Sequence, residues 1–289
     1  MKNKNKNKEG LEMRIKKAKI DPALVSRQIE DFIVEQVTLA GAKGGVVGLS
    51  GGIDSTTVAY LAKRAFDRYN ACDSNNTQLM LYGLIMPAGK LGYGDAREAE
   101  DIAEKLGIES EIIDISPVLE ARKKLNPKIF SKKFHYGNSA SRERMIQLYG
   151  KAADKNLLVL GTGNQDEDFC IGYFTKYGDG GVDISPLGNL SKRLVRVLAS
   201  YVGVSDTIIQ REPTARLWHG QTDKAELGYD YDPHVETVIA GFEQGYNRKD
   251  VHQITGFDYR IIDDIMARHI KNEHKMKMPP AAEVSLEYN

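Results

Sequence analysis

The order of apolar patterns along the chain predicts an α/β fold, a doubly wound, Rossmann-like parallel sheet with helices on both faces. Two observations predict it. Short apolar runs of strand length alternate with segments whose apolar residues recur at helical spacing. The strand-like runs end in loop-forming residues, at Ser50, Pro87, Ser116 and Thr162. Loops at the carboxyl edge of a parallel sheet are where ligands bind, so these four positions are expected to converge on one crevice.

The elements follow in order. Residues 29–39 read as a helix with Ile29, Phe32, Ile33 and Val37 on one side and Gln36 as the polar exception. Val46 to Leu49 is a buried strand that stops in a Ser-Gly-Gly-x-Asp-Ser loop. Val58, Leu61, Ala62, Ala65 and Phe66 then mark one face of a helix. Residues 79–85 are a strand ending at Met86-Pro87-Ala88-Gly89, and 95–106 a helix stopped by Gly107. A short strand at 111–115 ends before Pro117. Residues 139–155 are helical, and 157–160 form a buried strand entering Gly161-Thr162-Gly163-Asn164. The segment 174–183 carries Gly178, Gly180 and Gly181 with little apolar periodicity, and reads as a loop. Ser191 is a plausible N-cap for a helix from Lys192, and 259–270 is a further helix.

Composition bounds the function. Lys+Arg and Asp+Glu both number 40, so nothing suggests a nucleic-acid surface and phosphate-binding charge must be local. Cys72 and Cys170 form no disulfide framework or metal pattern. No apolar run reaches the roughly 18 residues of a membrane span. Residues 1–20 read as a polar, disordered tail opening on alternating Lys and Asn without a secretory core, which makes the cytoplasm the expected location. Residues 21–289 read as a single domain with a C-terminal helical extension.

The loop Gly48-Leu49-Ser50-Gly51-Gly52-Ile53-Asp54-Ser55 carries the chemistry. Two glycines allow a tight turn and close backbone approach to a ligand. Ser50 and Ser55 add hydroxyls, and the free N–H groups of the new helix point into the same space. Such a nest holds phosphate. Asp54 belongs beside phosphate only if a divalent cation lies between them, and magnesium commonly binds through one or two carboxylates plus phosphate oxygens. The loop lacks the Lys of the common nucleoside-triphosphatase loop and the Gly-x-Gly-x-x-Gly of dinucleotide folds.

The loop resembles instead the pyrophosphate-binding loop of the ATP pyrophosphatases. With Phe174-Thr175-Lys176-Tyr177-Gly178-Asp179-Gly180-Gly181-Val182-Asp183, the chain resembles the ammonia-dependent NAD synthetases, a homodimeric family. The likeness continues through Ser191-Lys192-Arg193, Glu212-Pro213-Thr214-Ala215, Glu226-Leu227-Gly228 and Glu273-His274-Lys275, over roughly residues 28 to 280. It implies a ligase in which ATP adenylates the nicotinate carboxylate of deamido-NAD, pyrophosphate leaves, and ammonia displaces AMP. By that resemblance, residues 48–55, Thr162, Lys192 and Thr214 bind ATP. Arg142, Lys176, Asp183, His274 and Lys275 bind deamido-NAD. Asp179 steers ammonia, Lys192 offsets charge at the α-phosphate, and Asp54 and Glu167 hold Mg2+. The segment before Gly172 is one residue longer than the family pattern, so counting forward from Gly161 selects Glu167 while counting back from Gly172 selects Asp168. Glu167 is assigned, with Asp168 as the alternative. No separate amidase segment is expected, since only about 28 residues precede the resembling region and a catalytic domain needs on the order of 150. Two other readings stay open: another ATP pyrophosphatase, such as a GMP, argininosuccinate or tRNA-modifying enzyme, and a nucleotide-binding module without catalysis.

Overall fold

The computed structural model describes residues 14–72, 77–89, 93–214 and 222–286. Among these, β1 (Gly44–Gly48), β2 (Met80–Ile85), β3 (Glu109–Ile112) and β4 (Leu158–Leu160) form one parallel sheet in the order β3-β2-β1-β4. Val46 pairs with Tyr82 and Val159, and all three point to one face. Val47 and Leu160 pair one residue on and point to the other, as the pleat requires.

Helices cover both faces, as predicted. The Val47 face receives α1 (Pro22–Leu39), α2 (Ile53–Asn70) and α3 (Tyr93–Leu106), through residues such as Ile33, Val58 and Ala99. On the Val46 face, α4 (Ser116–Leu125) buries Leu119. After the one-turn α5 (Pro127–Phe130), α6 (Lys133–Lys155) adds Ala140 and Ala152. Following β4, α7 (Lys192–Val202) returns to the first face with Val195, Leu198 and Ala199.

Several boundaries differ from those read in the sequence, among them that of the helix from Tyr259, which runs on to Met276. Helix α1 extends back to Pro22 because Asp21 caps it, accepting from the N–H groups of Ala23 and Leu24 at 3.0 and 3.3 Å. Strand β3 ends at Ile112 because the Asp114 carboxylate accepts from the N–H groups of Gly89 and Ser116 and turns the chain into α4. Helix α6 begins at Lys133, ahead of the apolar periodicity that marked it. The turn at Asp114 also removes Ser116 from the crevice, whose wall includes Ser50, Pro87 and Thr162.

Beyond α7, α8 (Asp206–Ile209) leads to α9 (Asp223–Leu227), α10 (Glu236–Glu243), α11 (Arg248–Thr255) and α12 (Tyr259–Met276). These helices build a second core around Val235, Val238, Val251, Ile262 and Ile265. Residues 14–20, which composition assigns to the tail, lie against it. Ile15 is buried there, and Lys16 exchanges two hydrogen bonds with Gln244. The loop around Trp218 lies outside the described residues. No helix among those described is long and apolar enough to cross a membrane.

Candidate active site

The 48–55 loop has the predicted build. Leu49 N–H is the last ladder bond, to Leu84 O at 2.8 Å, and the chain then leaves the sheet. Gly51 has φ 73°, a conformation that favours glycine. The Ser50 and Ser55 hydroxyls lie 2.9 Å apart, and Ser50 Oγ accepts from Gly52 N–H at 3.3 Å. Gly52 caps α2 with no side-chain bond, so the first-turn N–H groups remain directed at the loop. The pattern suits an anion.

Beside the loop, Asp54, Glu167 and Lys192 form an ionic triad around a buried lysine. Lys192 Nζ lies 2.6 Å from Asp54 Oδ2 and 2.6 Å from Glu167 Oε1, and its side chain is 2% exposed. Burial opposes the ammonium, but the pull of both carboxylates outweighs it and holds Lys192 above the usual lysine range. Burial pushes Glu167 up to about 7 against the attraction of Lys192. The lysine backbone is equally fixed. Its N–H donates to Asp166 Oδ2 at 2.8 Å, while Ser191 Oγ caps α7 at Leu194 N–H and donates to Glu236 Oε1 at 2.8 Å.

The extra residue noted in the sequence appears as a π-helical turn, Gln165–Cys170, with Ile171 N–H bonded to Asp166 O five residues back. This turn separates the two candidate carboxylates. Glu167 faces Lys192 and Asp54. Asp168 lies over Gly163, where an added Cβ would stand 1.7 Å from Asp168 Oδ2. Asn164, quoted in the sequence reading but given no role, joins the triad from behind. It is fully buried, donates to Asp54 Oδ1 at 3.2 Å and accepts from Glu167 N–H at 3.2 Å.

A cavity of about 1440 Å³ opens from the loop toward α6 and α12. Its wall includes Arg142, Lys176, His274, Lys275, Thr162, Thr214 and Asp179, residues from far apart in the chain. Lys176 Nζ donates to His274 O at 2.7 Å, and Arg142 Nε donates to Lys176 O at 3.3 Å. Lys275 Nζ donates to Gly172 O and Phe174 O, and burial lowers its pKa. Asp179 Oδ1 accepts from Ser141 Oγ at 2.6 Å and from Thr175 N–H at 3.0 Å. The loop glycines permit this packing: a Cβ at Gly180 would meet the Phe174 ring at 2.3 Å.

Asp183 departs from its expected place. Both oxygens are engaged, Oδ1 by Tyr149 OH at 3.0 Å and Oδ2 by Val159 N–H at 2.8 Å, and it is absent from the cavity wall. A sheet-edge N–H with no strand partner draws the carboxylate inward. Among the wall residues to which the sequence gave no role, two make polar contacts that shape the site. Ser141 orients Asp179, and Arg144 donates to Met86 O at 3.1 Å, its pKa lowered by burial. Arg144 lies two residues from Arg142 on α6, about 200° round the helix, so spacing gave no signal for it.

A smaller cavity of about 150 Å³ joins the loop, the triad and Thr214. The two spaces share Ser50, Gly52, Thr162, Tyr173, Asp179 and Thr214, so a ligand in the large cavity can reach the phosphate nest.

Comparison with known proteins points to one family. A family model described as NAD synthase matches residues 25–279. An NH(3)-dependent NAD(+) synthetase of Methanocaldococcus jannaschii is 39% identical over 262 residues, 90% of this chain and 96% of the relative. Among solved structures, an NMN synthetase from Francisella tularensis is 32% identical at a TM-score of 0.77, covering 92% of this chain and 100% of that one. The NH3-dependent NAD synthetase of Campylobacter jejuni is 30% identical at a TM-score of 0.72, with the same coverage. The matched span takes in the loop, the triad and the walls of both cavities, and on this agreement the chain belongs to the NAD synthase family.

Proposed function

We propose that the chain is an ammonia-dependent NAD synthetase, a ligase that uses ATP to activate the carboxylate of deamido-NAD and ammonia to amidate it. The observation that carries this reading is the Asp54–Lys192–Glu167 triad, with its lysine buried, beside an uncapped phosphate nest, opening on a dinucleotide-sized cavity. The loop N–H groups and the Ser50 and Ser55 hydroxyls hold the β,γ-pyrophosphate. Thr162 and Thr214 contact adenosine and phosphate. Arg142, Lys176, His274 and Lys275 hold deamido-NAD, and Asp183 joins them only by giving up its bond to Tyr149. Lys192 offsets the charge that grows at the α-phosphate. Asp179, with one oxygen pinned by Ser141 and Thr175, turns its other toward ammonia and accepts its hydrogen bonds.

Asp54 and Glu167 are the residues that would hold Mg2+. The donor set fits, because two carboxylates already converge on one cation, and magnesium completes its shell with phosphate oxygens and water. Bound there, the ion would neutralise charge on the triphosphate.

The reading is tested by incubating the purified chain with ATP, deamido-NAD and ammonium chloride and measuring NAD, AMP and pyrophosphate. Equal yields of all three are expected; ATP turnover without NAD would reject it. Because one structural neighbour is an NMN synthetase, nicotinate mononucleotide belongs in the assay as a competing acceptor.

Glutamine as sole nitrogen donor should give no turnover. Cys170 is buried, with its thiol pushed above the usual range by burial, and Cys72 is exposed on the surface. Neither resembles an activated nucleophile. Turnover with ammonia-free glutamine equal to that with ammonium would contradict this.

We also propose that the working form is a homodimer in the cytoplasm, built on residues 21–289 as a single domain against which residues 14–20 pack. Leu125, Ile129 and Phe134, on the arm formed by α4 to α6, are 86%, 46% and 66% exposed. Phe134 also lines the large cavity, so a second copy on this arm would cover apolar surface and close the dinucleotide site together. Light scattering should give the mass of two chains. A fully active particle of one chain mass would refute the dimer.

A further inference from the structure

We propose that Arg211 is a second cation for the departing pyrophosphate, an inference that rests on the ATP reading above. The small cavity is short of positive charge. Its wall carries Asp54, Glu167, Asp168, Asp179, Glu212 and Asp223 against Lys192 and Arg211. Lys192 is already committed to Asp54 and Glu167 at 2.6 Å each. Even with Mg2+ on Asp54 and Glu167, four further carboxylates line this space, so a second cation from the protein would favour entry of a triphosphate.

Arg211 is placed to supply it. It follows α8 and precedes Glu212-Pro213-Thr214, and its guanidinium crosses to the phosphate loop. Nη1 donates to Gly51 O at 3.2 Å and to Glu98 Oε2 at 2.8 Å, while Nη2 donates to Glu98 Oε1 at 3.0 Å. The fork therefore lies against the turn whose N–H groups form the nest. Its present acceptor is replaceable. The Glu98 side chain is 44% exposed and that of Arg211 28%, and an ion pair at such exposure holds weakly.

A phosphate offers the guanidinium the same two-oxygen edge as a carboxylate, with more charge. Entry of the pyrophosphoryl group exchanges one bidentate acceptor for another and releases Glu98 to water. In the adenylation step a carboxylate oxygen bonds to the α-phosphorus. The bond from that phosphorus to the α,β-bridging oxygen breaks, and its electron pair leaves with pyrophosphate. Charge thus accumulates on the group that the fork faces. The competing reading is that Arg211 is a strut tying the loop to α3 through Glu98, and it predicts that either partner's loss does equal harm.

Arg211→Met and Glu98→Gln are compared with the unaltered chain for ATP KM, kcat and inhibition by magnesium pyrophosphate, with thermal unfolding as the check on folding. Arg211→Met is expected to raise the ATP KM and the pyrophosphate inhibition constant about tenfold or more. Glu98→Gln is expected to leave both unchanged or lower them, because it frees the fork. Equal losses in the two variants, or unchanged pyrophosphate inhibition in folded Arg211→Met, would overturn the assignment. If Arg211→Met does not fold, Arg211→Lys keeps the charge, removes the fork and must show the same direction of change. An unaltered chain that releases no pyrophosphate from ATP would defeat the ATP reading itself, whatever the variants do.

Discussion

Lys192→Met is expected to lower the single-turnover rate of adenylate formation by about 10²–10³-fold while changing deamido-NAD affinity little. The ammonium of Lys192 bonds to Asp54 and Glu167, beside the phosphate loop, and not to Arg142, Lys176, His274 or Lys275 of the dinucleotide site. Its charge therefore acts where charge grows in the transition state, and the loss should appear in the chemical step. The substitution also leaves two carboxylates facing one another without their counter-ion. Breaking a buried pair by removing one partner costs about 3–5 kcal/mol, so a lower unfolding temperature is expected as well. Magnesium should restore part of that stability if Asp54 and Glu167 bind it, since a ligand for the native state stabilises it. A folded variant with an unchanged rate of adenylate formation would reject the role of Lys192.

Asp54→Asn should abolish pyrophosphate release and leave the fold intact. The amide keeps the shape of the side chain, and its oxygen can still accept from Asn164, as Asp54 Oδ1 does at 3.2 Å. Helix α2 is held by Val58, Leu61, Ala62, Ala65 and Phe66 in the core, so the fold persists, while Lys192 loses one of its two carboxylates and keeps Glu167 at 2.6 Å. What disappears is a negative metal ligand, replaced by an amide that sets N–H donors against the Lys192 ammonium. Circular dichroism should match the unaltered chain, with unfolding at a somewhat lower temperature, while turnover falls to background. Near-normal turnover would show that Asp54 holds no metal.

The parts of this site that were legible in the sequence were those carried by local patterns. The strand, loop and helix of 46–66 have strong periodicity on either side of a glycine pair, and local hydrogen bonding fixes the loop between them. Lys192 was legible through Ser191, whose side chain does cap α7. Sequence counting left Glu167 and Asp168 open because a one-residue excess can be absorbed in several ways. Here the chain takes a π-helical turn from Gln165 to Cys170, which sets the two side chains apart. The position of Asp183 depended on an unpaired N–H in β4, and that of Arg211 on a contact with Glu98 across 113 residues of chain, neither of which leaves a local signature. Helices α4 and α5 and most of the second core were missed for a related reason. Their apolar residues are few per turn, and they are stabilised by neighbours distant in the chain, such as Ile15 against Val251 and Ile262.

The central claim is that this chain splits ATP between the α and β phosphates to activate a carboxylate before nitrogen arrives. It is tested most directly by one rapid-quench experiment with ATP labelled in the α-phosphate, excess enzyme and deamido-NAD, first without ammonium and then with it. The account predicts that the label moves to an acyl-adenylate with release of one pyrophosphate, and that added ammonium converts this species to AMP and NAD. Label appearing in ADP, or no acyl-adenylate before ammonium is added, would contradict it.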